Sequence, residues 1–484
     1  MSRQKIFSWL QQNGGRLLAS LGGIALLIII LVSIRQGLLH LTRRRTSELL
    51  NQAQSALNAK EYSKAVSLYK LTLDYNPNLL PAYQKMAEIY LLKNKYSEAE
   101  NILLKGLCYL KDPAEKAHLN LNLGKVAMAA HNYSAAAIYF SQADLNLAEN
   151  KLFLAKAYLK EGEISKAKEI LEEFPQTDDK PACIYYYKAL ASILTNLNSS
   201  LSFIFLSHEK SIEQSDSACS TTSTRLKNNI EEALSRNNEL DKKTFAAYAL
   251  LQEDYPNLAT KILKEVTLEN PEYRDAQALL GAAFLSLQDY ENAKTPLKKS
   301  VEIDPNYAYG HYLLGQLYSQ TNNNESAQQE FQAALNLAPD KLSYYDAYLE
   351  FLEKQKAYPD MENTLKQLTA REELSAAQRK SYEIKLIYLY LDHLSNAQKG
   401  LDLAQKYQDS EVYAWALYKN KQSNNALEII QTLLEKSPTA WLYYHQGVIL
   451  KSLGRTTAAQ ESFQRAVDLD LDGQITKLCD NELR

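Results

Sequence analysis

Two patterns of apolar and polar positions follow one another along the chain. The first is Leu17–Ile34, LLASLGGIALLIIILVSI, 18 residues without a charge, bracketed by Arg16 and Arg35. An α-helix of that length rises about 27 Å, close to the hydrocarbon thickness of a bilayer. Phe7 and Trp9 precede it, where interfacial aromatic residues sit. A cleaved signal peptide is the rival reading, but its apolar core is shorter, and Arg35-Gln36-Gly37-Leu38 makes a poor cleavage site. The reading is a single membrane-spanning helix over 17–34, after a tail over 1–16 and before a basic segment over 35–45. Arg3, Lys5 and Arg16 lead the span, while Arg35, Arg43, Arg44 and Arg45 trail it. Four charges against three favour, by one, a cytoplasmic side for everything that follows.

The second pattern begins near Thr46 and is periodic. The stretches AKEYSKAVSLYKLTLDYNP (59–77), LQDYENAKTPLKKSVEIDP (287–305) and TNNNESAQQEFQAALNLAP (321–339) each carry an Ala, a large apolar residue four positions on and a Pro twelve positions on. The anchoring positions are Ala65, Ala99, Ala136, Ala167, Ala259, Ala293, Ala327, Met361, Ala397, Ala426 and Ala459. Most steps are close to 34 residues. The step from Ala167 to Ala259 is 92. Twelve residues before the anchors stand Ala53, Ala87, Gly124, Ala155, Ala247, Gly281, Gly315, Ala414 and Gly447, with Leu349 and Lys385 breaking the rule.

This period and pattern resemble the tetratricopeptide repeat, a helix–turn–helix unit. The resemblance covers about 430 residues. It implies an all-α, right-handed α-solenoid of about eleven units behind the membrane helix. The small residue and the Ala lie where the two helices of a unit cross, and the large residue four positions on is expected to fill the space against the next unit. Stacked units bury a continuous core and leave a groove lined by first helices. The expected layout is an amino-terminal arm over 46–178, a degenerate region over 179–239, a carboxy-terminal arm over 240–473 and a capping tail over 474–484. Within the degenerate region, helices are expected over 182–196, 201–213 and 225–238. The Ser/Thr-rich QSDSACSTTST (214–224) has no periodicity and reads as an exposed loop.

Composition removes several alternatives. In 484 residues, 54 basic side chains against 57 acidic ones leave no basic excess for nucleic acid. With 15 Gly and 12 Pro, turns are too sparse for an all-β fold. The chain has 33 Tyr against 11 Phe, and the repeat explains part of this, since Tyr62, Tyr96, Tyr133 and Tyr290 share one slot of the unit. Cys108, Cys183, Cys219 and Cys479 form no CxxC pair and read as ordinary thiols, which favours a reducing compartment.

No GxSxG, P-loop or GxGxxG motif is present, and the seven His do not form HxxxH, so no enzyme activity, cofactor, metal site or small-molecule substrate is expected. DxDxDG at 468–473 resembles the start of a calcium loop, but Cys479 stands where the closing Glu belongs, and a helix cap is the preferred reading.

The resemblance implies that partners lie against particular first-helix positions. A two-carboxylate clamp known in the family needs Lys and Asn where Leu50 and Gln54 stand, so that ligand class is unsupported. The register instead places aromatic residues in the groove: Tyr309, Tyr312, Tyr382, Tyr390, Trp415, Tyr418, Trp441 and Tyr444. The alternative is that these rings pack between units. The expected role is a non-enzymatic, membrane-anchored scaffold or adaptor that recruits protein or peptide partners. The rival is a structural subunit of an envelope or secretion complex, held by convex or edge surfaces.

Overall fold

The computed structural model describes residues 33, 35–36, 40–174, 182–213 and 217–483. The expected span over 17–34 lies outside them except for Ser33. Among the described residues no helix is long and apolar enough to cross a membrane. The described residues are helical, with no strand among them. They divide into two compact units, the first reaching Leu119 and including Asp468–Gly473, the second made of Asn120–Val467 and Gln474–Arg484.

The repeat is an antiparallel helix pair. In the second unit the pairs include Arg274–Ser286 with Tyr290–Ile303, Ala308–Gln320 with Asn324–Leu337, and Leu342–Lys354 with Tyr358–Thr369. The anchoring Ala65, Ala99, Ala136, Ala167, Ala259, Ala293, Ala327 and Ala426 are fully buried. The small residue of the first helix has a specific partner. A Cβ on Gly124 would lie 2.4 Å from Phe140, on Gly281 2.3 Å from Leu297, on Gly315 2.8 Å from Phe331 and on Gly447 2.5 Å from Phe463. Each of these large residues is the one four positions after the anchor of the same unit. Each lies over the glycine of its own unit and locks that pair, and Phe140 and Phe331 also reach the next unit as expected, meeting Phe153 at 5.5 Å and Phe351 at 5.6 Å.

A backbone marker accompanies every unit. Lys60, Asn94, His131, Asp254, Gln288, Asn322, Lys356, Ser395 and Lys421 have positive φ, as do Gly162 and Gly454. Each marks the turn between the two helices. The following N–H commonly closes a six-to-one bond across the turn, as from Asp289 to the Phe284 carbonyl at 2.9 Å and from Ala357 to the Leu352 carbonyl at 2.9 Å. In ten units the marker stands five residues before the anchor. Ser395 does not stand five before Ala397. It stands five before Gly400, which is buried and whose Cβ would meet Leu391 at 2.5 Å. The anchor of that unit is therefore Gly400, three residues later than the spacing suggested, and the first-helix slot moves from Lys385 to Tyr388.

Within the 92-residue step, three helices, Ala182–Ser192, Leu197–Glu213 and Ser217–Leu234, precede the first helix of the next unit, Glu239–Gln252. The exposed loop expected over 214–224 is corrected, since 217–224 is helical and Ser223 is fully buried. Small hydroxyls supplement the apolar core here. Ser200 donates to the Ala189 carbonyl at 2.8 Å, Ser207 to the Ala182 carbonyl at 2.9 Å, and the Ser207 and Ser223 hydroxyls meet at 2.8 Å. A hydroxyl bonded to a neighbouring carbonyl is both short and satisfied, so helices approach closely beside the buried Ile184, Ile204, Leu226 and Ile230.

The helices flanking this insertion, Ala148–Glu161 and Pro256–Glu269, touch each other within the second unit. Lys160, almost fully buried, donates to the Asp254 carboxylate at 2.7 Å and lies 4.1 Å from the Tyr255 ring centroid. Asn257 donates to the Lys160 carbonyl at 2.7 Å. Beside them Glu253 accepts from Tyr186 at 2.8 Å and from Arg225 at 2.6 Å. Cys108 and Cys479 are outside any disulfide, whereas Cys183 is disulfide-bonded, which corrects the reading of four ordinary thiols. The tail over 474–484 carries the helix Gln474–Leu483.

Candidate functional site

The rings assigned to the groove fall into three groups. Tyr309 and Tyr312 are half-buried and stack at 6.2 Å, and Tyr312 stacks on Tyr344 of the next first helix at 4.4 Å. They form a tyrosine ladder along two successive units. Burial, followed by the charge of Glu350, raises the Tyr312 phenol above its ordinary pKa, so it is a neutral donor at physiological pH.

The second group is core. Trp415 is 6% exposed, stacks on His445 at 4.0 Å and donates its indole N–H to Asp392 at 3.1 Å. Tyr390 is 1% exposed and donates to Glu362 at 2.7 Å. With Gly400 as anchor, Tyr390 leaves the groove slots altogether. Tyr382 is also buried, with Asp346 beside its hydroxyl. These three rings space the helices and offer almost no surface to a partner. The third group stays accessible: Trp441 is 43% exposed, and Tyr418 and Tyr444 are half-buried around Trp415 and His445.

Beside the tyrosine ladder lies a cavity of about 890 Å³ across three consecutive first helices. Its walls are Leu285 and Ser286 from the first, Gln316, Ser319 and Gln320 from the second, and Glu350, Glu353 and Lys354 from the third. Gln316 donates to the Tyr312 hydroxyl at 2.8 Å, tying cavity to ladder. Lys354 donates to the Ser319 carbonyl at 3.2 Å. Aromatic spacing does not reveal this set, yet its signal is regular. The lining residues stand one, four and five positions after Gly315 and after Leu349, and four and five after Gly281.

No group of three or more metal-binding side chains occurs among the described residues. In the DxDxDG segment, Asp470 accepts from the Gly473 backbone at 3.2 Å and Asp468 from the Ser63 backbone at 3.0 Å, so both carboxylates serve as caps.

The chain thus carries tetratricopeptide repeats. A TPR-repeat family profile matches residues 281–322, and a tetratricopeptide-repeat profile matches 308–341 and 442–472. No catalytic family is indicated. Over 89 residues, 18% of this chain, it is 34% identical to the type IV pilus assembly protein PilF of Pseudomonas aeruginosa, and the match spans 35% of that protein's length. Among solved structures, yeast Tom70 aligns over 91% of this chain and 96% of its own at 15% identity, with a TM-score of 0.31. A Pseudomonas aeruginosa pilF structure aligns over 44% of this chain and 98% of its own at 21% identity, with a TM-score of 0.32.

Proposed function

We propose that this protein is a non-enzymatic scaffold, held at a membrane by residues 17–34, that binds an extended segment of a partner protein along the first helices of its repeats. The observation that carries the reading is the cavity lined by Ser286, Gln316, Ser319, Gln320, Glu350 and Glu353, continuous with the Tyr309–Tyr312–Tyr344 ladder. Large rings with polar edges beside a pocket of hydroxyls and carboxamides suit a peptide, whose main chain needs partners and whose side chains need contact area. A photo-reactive amino acid at Gln320, inside the cavity, and another at the exposed Glu302 on a second helix test it in the native membrane. Covalent adducts from position 320 alone are expected.

The similarity to a pilus assembly protein supports a second reading, a structural subunit of an envelope complex held by second-helix surfaces. That reading calls for adducts from position 302 and none from 320. On localisation, the charge count around 17–34 favours cytoplasmic repeats, whereas the disulfide at Cys183 favours an oxidising compartment. Reporters fused to the carboxy terminus, one active only in each compartment, distinguish the two.

A further inference from the structure

Building on the groove reading, we propose that the cavity is a receptor for an arginine side chain of the bound segment. Leu285, Phe331, Ala347 and Phe351 supply an apolar floor. The polar groups above it are acceptor-rich. Glu350 and Glu353 stand one turn apart on Leu342–Lys354, both exposed, and neither carboxylate has a cationic partner among the described residues. Lys354, the cation in the lining, has its ammonium turned to the Ser319 carbonyl. Ser319 is 8% exposed, lines the cavity, and its hydroxyl has no partner among the described residues. Gln316 and Gln320 add carboxamide oxygens on the same wall.

A long methylene stem on an apolar floor, ending in a planar head with five donors, matches this arrangement. Two carboxylates and a free hydroxyl can accept from several edges of a guanidinium, which a point-charge ammonium uses less fully. The charge sign is opposite to that of a carboxylate clamp, so the pocket disfavours an acidic side chain.

The test uses the full chain purified in mild detergent and two fluorescein-labelled Ala/Ser octapeptides, one with a single central arginine and one with citrulline, its neutral isostere. Fluorescence anisotropy should show the arginine peptide binding about tenfold or more tightly, with a ratio that shrinks at high salt. In the Glu350→Gln/Glu353→Gln variant the ratio should fall to about one while the thermal melt stays unchanged, since both carboxylates are exposed and unpaired. Equal binding of the two peptides to the native chain overturns the proposal, as does a ratio that survives in the variant. If neither peptide binds but position 320 still crosslinks a partner, the arginine receptor falls and the groove stands. If position 320 crosslinks nothing either, both fall.

Discussion

In the repeats with a first-helix glycine, one large side chain lies over that glycine, and such a pair responds to substitution in a defined way. Gly281 has Leu297 directly over it, so Gly281→Ala forces that leucine aside. Overpacking of this kind costs about 1–3 kcal/mol. Leu297→Ala alone leaves a cavity and costs about 2–5 kcal/mol. Because the new methyl occupies part of that cavity, the double variant should cost less than the two singles summed, and a thermal-melt cycle on the four proteins reads the coupling. Full additivity would remove the pair from its locking role. Trp415 tests the division between core and groove: Trp415→Ala should lose about 3–5 kcal/mol of stability. Trp441→Ala, at an exposed ring, should barely shift the melt. His311 gives a pH signature. Its ring nitrogen meets Glu330 at 2.6 Å, and that hydrogen bond, ahead of the opposing effect of burial, raises its pKa above the ordinary 6.5. A raised folded-state pKa stabilises fully below the unfolded value and ceases to do so as pH rises through the folded one. His311→Gln should therefore destabilise more at pH 6 than at pH 9, and an equal loss at both would contradict the assignment.

At the scale of the element, the recurrent left-handed turn is the feature that keeps register. Nine of its occupants are not glycine, and an L side chain there costs about 1 kcal/mol relative to glycine. Gln288→Gly should accordingly raise stability by up to about 1 kcal/mol, provided the added freedom of the unfolded chain does not consume the gain. A chemical denaturation curve measures it, and a loss of stability would contradict the strain argument. This turn also shows where the sequence was legible. The buried alanines and the small first-helix residues recur in most units, so helix pairing and most of the register are read directly from them. The turn itself accepts Lys, Asn, His, Asp, Gln or Ser, so its position is hidden until backbone angles are seen. That is why the weak unit was anchored on Ala397 rather than Gly400, and why Tyr390 was counted in the groove. Residues 217–224 of the helix Ser217–Leu234 read as a loop for a related reason: Ser223 meets the Ser207 hydroxyl at 2.8 Å there, and the buried apolar positions Leu226 and Ile230 begin only after that stretch. Of the candidate site, the Tyr309 and Tyr312 ladder was legible because aromatic residues stand out, whereas Ser319 and Glu353 resemble any polar helix surface until three units are stacked.

At the scale of the whole molecule, the proposed function joins a membrane anchor to a binding face. The uncharged run over 17–34 predicts that the intact chain stays with membranes through alkaline carbonate, while a chain starting at Thr46 is released. Release of the intact chain would remove the anchor without touching the groove. The binding face is the central claim, and hydrogen–deuterium exchange on the full chain, alone and with the partner captured at Gln320, tests it most directly. The account predicts new protection on the first helices Arg274–Ser286, Ala308–Gln320 and Leu342–Lys354, with the second helices Tyr290–Ile303 and Asn324–Leu337 unchanged. Protection on those second helices with the first helices unaltered would contradict it.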